Sequence, residues 1–260
     1  LSEALEMINS TGVISSGTLK GVTANRNITA FSIAIKIPFV IYLVGLLKKK
    51  SFKILVTTLI FLALLSLSMI QSRASFIGVG LITIGYCALQ TLIYFRYTKN
   101  TKTLLSIGFI LVPLLLAITV NQTVIANKGA DALSRAATIS LSTNDGSVNQ
   151  RLRYYKDVLT HITSSPILGT GLGNWKLKSI DYDKNDINGY VVPYHAHSDF
   201  IQLGAELGII GFLLYLGVFL WAVYYVFIFI RHSKSSIEEK TFVFLLLDAL
   251  GVDSVDVNLN

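Results

Sequence analysis

Residues 54 to 95 form a single apolar run that would make a helix about 63 Å long at 1.5 Å per residue. The hydrocarbon layer of a bilayer is about 30 Å thick, so a run of this length predicts two crossings rather than one. Gln71, Ser72, Arg73 and Ser75 interrupt it near its middle. The expected structure is therefore a helical hairpin with QSRAS at its turn. Three more apolar runs, at about 30–47, 104–120 and 200–230, are each long enough to cross. The composition agrees, with 52% hydrophobic and 14% charged residues, too apolar for an ordinary soluble domain. The predicted fold class is an all-α, polytopic integral membrane helical bundle.

The basic residues sort by position. Lys48, Lys49, Lys50 and Lys53 form one cluster, Arg96, Lys99 and Lys102 a second, and Arg231, Lys234 and Lys240 a third. All lie in short loops between apolar runs, where the positive-inside rule puts cytoplasmic segments. The net charge of +7 is thus a topology signal, and no nucleic-acid partner is expected. Alternate crossings then put residues 1–29, the QSRAS turn and residues 121–199 together on the outer side. The expected layout is an extracytoplasmic segment at 1–29, four transmembrane helices within 30–120, a large extracytoplasmic loop at 121–199 and a fifth transmembrane helix at 200–230. A cytoplasmic loop and a truncated or atypical C-terminal segment at 231–260 complete it. A possible further span starting at Phe242 stops after a few residues, and the start at Leu1, without a signal-peptide pattern, reads as a truncated beginning. Cys87, the single cysteine, lies in an apolar run and rules out an intrachain disulfide.

Within the large loop, NQRLRYYKDVLTHI repeats Leu152, Tyr155, Leu159 and Ile162 at helical spacing, which predicts a helix lying along the membrane surface. Pro166 and the glycines of PILGTGLGNW end it in a compact turn. These glycines do not have the spacing of a nucleotide loop and no strand precedes them. Residues 178–189, rich in Asp, Lys and Asn, read as an exposed loop. The DYDKND run within them lacks the glycine and the closing glutamate of a calcium loop.

Three places carry candidate chemistry. Arg73, the lone cation in a tight turn between two spans, is either a snorkelling side chain or a planar fork for a phosphate oxygen. On the loop helix, Arg153 has an acid four residues on in Asp157, whereas Arg151 has none at that spacing and is the better anion ligand. His195 and His197 stand just before the last long apolar run, where an imidazole can hydrogen-bond at the interface, ligate a metal or act as a general base. No third metal ligand accompanies them, so no metal is expected. Glu206 follows His197 by nine residues, about 13 Å along a continuous helix, and is assigned a packing or positioning role.

The motifs SRAS, RLRYY followed by SPILGTGLGNW, and HAHSDFIQLGAELGIIGF, in that order, resemble the bacterial O-antigen ligase and Wzy-type polymerase superfamily. Weaker likeness reaches back through GVTANRN, which contains Arg26. The resemblance implies a metal-independent, cofactor-free glycosyltransferase of the bacterial inner membrane with its active site facing the periplasm. It implies a polyprenyl-diphosphate-linked glycan as donor, and a glycan, lipid A core or protein hydroxyl as acceptor. By position, Arg73 and Arg151 would hold the diphosphate and His197 would be the base, with Arg153, His195, Glu206 and Arg26 in secondary roles. The rival reading is a transporter or a non-catalytic assembly subunit of a polysaccharide export system. It requires charged groups near the middle of the spans, and the apolar runs carry theirs mainly at their ends.

Overall fold

The computed structural model describes residues 1–15, 18–139, 146–183, 196, 198–232 and 235–259. Among them every regular element is helical, and five helical stretches are long and apolar enough to cross a membrane: Arg26–Leu46, Lys50–Ile70, Arg73–Thr98, Thr101–Lys128 and Asp199–Arg231. The chain divides into two compact units, residues 1–139 with 226–256, and residues 140–225 with 257–260.

The first unit opens with α1 (Ser2–Thr11). The first spanning stretch is two helices, α2 (Arg26–Ala34) and α3 (Ile37–Leu46), broken next to Pro38. Proline is tolerated there because the first amides of a helix have no partner to lose. The hairpin is α4 (Lys50–Ile70) and α5 (Arg73–Ile93). Its turn is tighter than QSRAS suggests: Gln71 alone is left-handed, Ser72 is extended, and Arg73 already begins α5. A wide turn at Tyr94–Thr98 ends that helix. Then come α6 (Thr101–Leu105), α7 (Gly108–Val120) and the short α8 (Ala132–Ala137). The core is aliphatic, with Ile41, Ile60, Leu67, Ile82 and Ile110 at most 2% exposed. Many other apolar side chains of α4, α5 and α7 are exposed, among them Ile54, Ile84 and Leu115, as suits helices whose solvent is lipid.

In the second unit α9 (Gly146–Ser164) is the predicted loop helix. Only part of its apolar stripe is packed, with Ile162 against the buried Val158 and Trp175. Leu152 and Leu159 are 48% and 55% exposed, while Tyr154, Val158 and His161 are buried. Residues expected to be loop form α10 (Trp175–Asp183) instead. The long helix α11 (Asp199–His232) runs from this unit into residues of the first, and its spanning window buries no side chain. After it comes α12 (Ile237–Leu259), which is not one of the five stretches apolar enough to cross. Tyr42 and Phe242 meet with ring centroids 5.0 Å apart, and Leu245 joins the core of the first unit.

Candidate functional site

Arg73 owes its place to the end of the hairpin. Gln71 closes α4 in the left-handed conformation at φ 57°, its N–H bonded to the Leu67 carbonyl at 3.1 Å. Ser72 then turns the chain into α5, so the guanidinium emerges at the head of a spanning helix, where the helix dipole is positive. Arg73 is half-buried, and its Nε donates to Thr138 Oγ1 at 3.3 Å. In return Arg135 Nε donates to the carbonyl of Gln71 at 3.3 Å. Two guanidinium groups therefore bracket one turn. The hydroxyls of Ser72 and Ser75, 2% exposed, lie beside it with no hydrogen-bond partner among the described residues.

Arg135 is carried by α8, and a chain of buried polar contacts fixes α8. Asn121, fully buried, donates to the Ala130 carbonyl at 2.9 Å and to Ser68 Oγ at 3.2 Å, and accepts from the Ala132 N–H at 3.0 Å. A side-chain amide satisfied on both sides pins the loop between α7 and α8 to α4. Asp131 then caps α8 through the N–H groups of Leu133 and Ser134. Its carboxyl is lowered to about 2 by hydrogen bonds, chiefly from the Gln122 side chain and then from Ser134. Arg135 is absent from the sequence-predicted set. Its signal was an aspartate just before a short helical stretch, a cap that could be read without showing what the helix faces.

The second unit is organised around Glu206. This carboxylate is 3% exposed and accepts from the N–H of Gly173 at 2.8 Å, the N–H of Trp175 at 3.3 Å and the side chain of Gln202 at 3.2 Å. The Trp175 amide opens α10, so the charge also sits at a helix N-terminus. Gln202 in turn accepts from the Ala196 N–H at 3.0 Å, and Ala196 is fully buried. Glu206 thereby ties the glycine turn, α10 and the residue between the two predicted histidines to α11. The turn itself lies against the helix backbone. Thr170 and Gly171 donate to the carbonyls of Ala205 and Glu206, and Ile209 donates to that of Pro166.

The packed face of α9 brings His161 against Trp175 and Tyr182, with both ring centroids 5.6 Å from the imidazole. Its Nδ1 is 3.0 Å from the Tyr182 hydroxyl. Burial, and secondarily the charge of Lys178, pushes its pKa below the usual histidine value. Sequence reasoning passed over His161, although it continues the Tyr154 and Val158 face at spacings of four and three.

The other predicted site residues are distributed as follows. Arg151 is half-buried on α9 in the second unit, whereas Arg73 belongs to the first. Arg153 has its guanidinium 5.4 Å from the ring of Tyr154. Arg26 begins α2 behind Asn25, whose side chain caps that helix. His195 and His197 lie outside the described residues. Among the described residues no three of His, Cys, Asp and Glu gather as a metal ligand set.

Comparison with known proteins bears on this arrangement. The chain is 39% identical over 74 residues to a protein of Rickettsia conorii named "Putative polysaccharide ligase". That match covers 27% of this chain and 18% of the relative, so the chain spans only a small part of the relative's length. No solved structure matches. The family model described as O-antigen ligase matches residues 58–216, from within α4 to within α11. That stretch takes in the arginine turn, the glycine turn and Glu206, and it is more than half of the sequence. This multi-pass membrane chain belongs to the O-antigen ligase family.

Proposed function

We propose that the chain carries the catalytic region of a glycosyltransferase. The enzyme moves a glycan from a polyprenyl-diphosphate carrier to an acceptor hydroxyl at the periplasmic face of the bacterial inner membrane. The observation that carries this reading is the half-buried guanidinium of Arg73 at the head of a spanning helix, oriented by Thr138 and matched by Arg135 across one turn. Cations held at the edge of the hydrocarbon suit a lipid that bears its charge on a diphosphate. The family match, which includes this turn, supports the same class of chemistry.

In the proposed step His197 takes the proton of the acceptor hydroxyl as its oxygen forms a bond to the anomeric carbon. The bond from that carbon to the diphosphate oxygen breaks, and its electron pair leaves with the diphosphate. Arg73 and Arg151 stabilise the charge that collects there, and a single displacement inverts the anomeric centre. The acceptor is a further glycan, a lipid A core or a protein hydroxyl. Neither a metal nor a cofactor has a step in this scheme. The large loop, the glycine turn and α10 belong to the periplasmic side, with Glu206 as a positioning residue.

The test uses the intact gene in a strain lacking its own enzyme, with lipid-linked and transferred glycan measured separately. His197→Ala is expected to lower transfer by about a hundredfold or more, the range typical of general-base help. Arg73→Gln is expected to do the same by removing a donor aimed at developing charge. Undiminished transfer by His197→Ala would reject the base assignment.

A further inference from the structure

From Arg73 to Ile93 α5 rises about 30 Å, and at its far end the first unit has a cavity of about 280 Å³ among α5, the end of α11 and α12. Leu89 and Leu92 of α5, Phe227 of α11 and Phe244 of α12 form its apolar wall, and Arg96 and Arg231 line it as well. Leu92 and Phe227, 44% and 59% exposed, leave it open sideways, where the surroundings of spanning helices are lipid. The two guanidinium groups share this cavity because the ends of two helices are tied together. Residues Tyr94–Thr98 wind more widely than an α-helix, and from that turn the Tyr97 hydroxyl donates to the Ile230 carbonyl at 2.9 Å. Ile230 lies in the last turn of α11, whose carbonyls have no partner inside the helix. A third cation stands behind Tyr97. Lys240 of α12 is 6% exposed, and its Nζ lies 4.4 Å from the centre of the Tyr97 ring.

We infer that this cavity is a binding site for an anionic phospholipid of the surrounding membrane, its phosphate held by Arg96 and Arg231 and one acyl chain lying along Leu92 and Phe227. The site is separate from the proposed transfer reaction and does not depend on it. Charge complementarity selects the occupant. Among the described residues no carboxylate pairs with Arg96, Arg231 or Lys240. Of the acids at the start of α12, Glu239 accepts from the Ser236 N–H at 2.9 Å in a helix cap, and Glu238 is exposed. A nearly buried ammonium with no acid beside it is costly, and a phosphate bound close by offsets that cost. A guanidinium fork matches phosphate oxygens, and the apolar wall beneath it matches an acyl chain. A zwitterionic headgroup would bring a further cation to a mouth that already holds three.

The test places the intact protein in phosphatidylcholine nanodiscs that contain phosphatidylglycerol with a photoreactive acyl chain, and maps the crosslinked residues by mass spectrometry. In wild type the label is expected to concentrate in residues 88–97 and 227–231 and to be displaced by unlabelled phosphatidylglycerol. Arg96→Gln combined with Arg231→Gln should lower that labelling about tenfold or more, as loss of charge-assisted contacts does. Lys48→Gln combined with Lys50→Gln removes the same charge from two exposed positions outside the cavity and should leave the labelling unchanged. An equal loss in both double variants would overturn the site in favour of a general attraction of basic loops to anionic lipid. Two comparisons in wild type need no variant and decide the matter even if the arginine variant unfolds. Equal labelling of these segments by a photoreactive phosphatidylcholine would show that no anionic headgroup is recognised. Complete displacement by glycerol phosphate in the buffer would show a site for a soluble anion, and the lipid assignment would fall.

Discussion

His161 has 4% of its surface exposed, and Nε2 is buried with no hydrogen-bond partner among the described residues. Burial disfavours the imidazolium there, and the charge of Lys178 adds to that, against a smaller opposing effect of Asp181. The sign of the pH effect follows. Above a pH of about 6.5, the ordinary histidine value, the ring is neutral in both folded and unfolded chain and costs nothing. As the pH falls below that, the unfolded chain takes up the proton first, and the stability of the α9–α10 packing drops until the folded ring titrates too. Limited proteolysis of residues 150–183 is expected to speed up on acidification in wild type and to lose that dependence in His161→Phe. An equal slope in both proteins would assign the titration elsewhere. The sequence hid this residue for a physical reason. The stripe of Leu152 and Leu159 is apolar yet exposed, because near a membrane an apolar face need not be covered by protein. Periodicity therefore identified the helix and its apolar stripe, and left unmarked the face of Tyr154, Val158 and His161 that packs against protein.

At the scale of elements, the docking of the glycine turn on α11 depends on a break in that helix. Gly208, at φ 66° and ψ −167°, interrupts it. The Ile209 amide goes to Pro166 instead of closing a helical turn, and the Ala205 carbonyl accepts from Thr170. The helix and the turn thus exchange backbone partners. A Cβ on Gly208 would fall onto the Ile167 carbonyl, and one on Gly169 onto the backbone of Glu206. Gly208→Ala is expected to cost about 1–3 kcal/mol from the backbone conformation alone. It should also raise amide exchange across residues 166–175. Gly217→Ala is the control on the same helix, since nothing lies within 4 Å of its added Cβ, and it should be neutral or slightly stabilising. A similar effect from both would show that the break has no special role. The glycine turn was legible from its composition, and so were the five spans from their lengths. The break was not, because Gly208 sits in an apolar run that reads as uninterrupted helix.

Across the whole molecule, the length of α4 constrains which faces its two ends can share. The 21 residues of Lys50–Ile70 rise about 30 Å, close to the thickness of the hydrocarbon layer. Lys50 and Arg73 therefore belong at opposite surfaces, and whichever side holds the lysine cluster cannot hold the arginine turn. The positive-inside rule favours the cytoplasm for the lysines, and the proposed reaction then requires Arg73, Arg135 and Thr138 on the periplasmic side. Cys87 is the single native thiol, so Cys87→Ser provides a background for placing new ones. In that background Ser51→Cys is expected to resist a membrane-impermeant maleimide in intact spheroplasts and to react only after permeabilisation, whereas Thr138→Cys, at an exposed position, should react in both. The reverse pattern would put the arginine turn on the cytoplasmic face. A periplasmic diphosphate donor could not reach it there, and the proposed reaction would need another explanation.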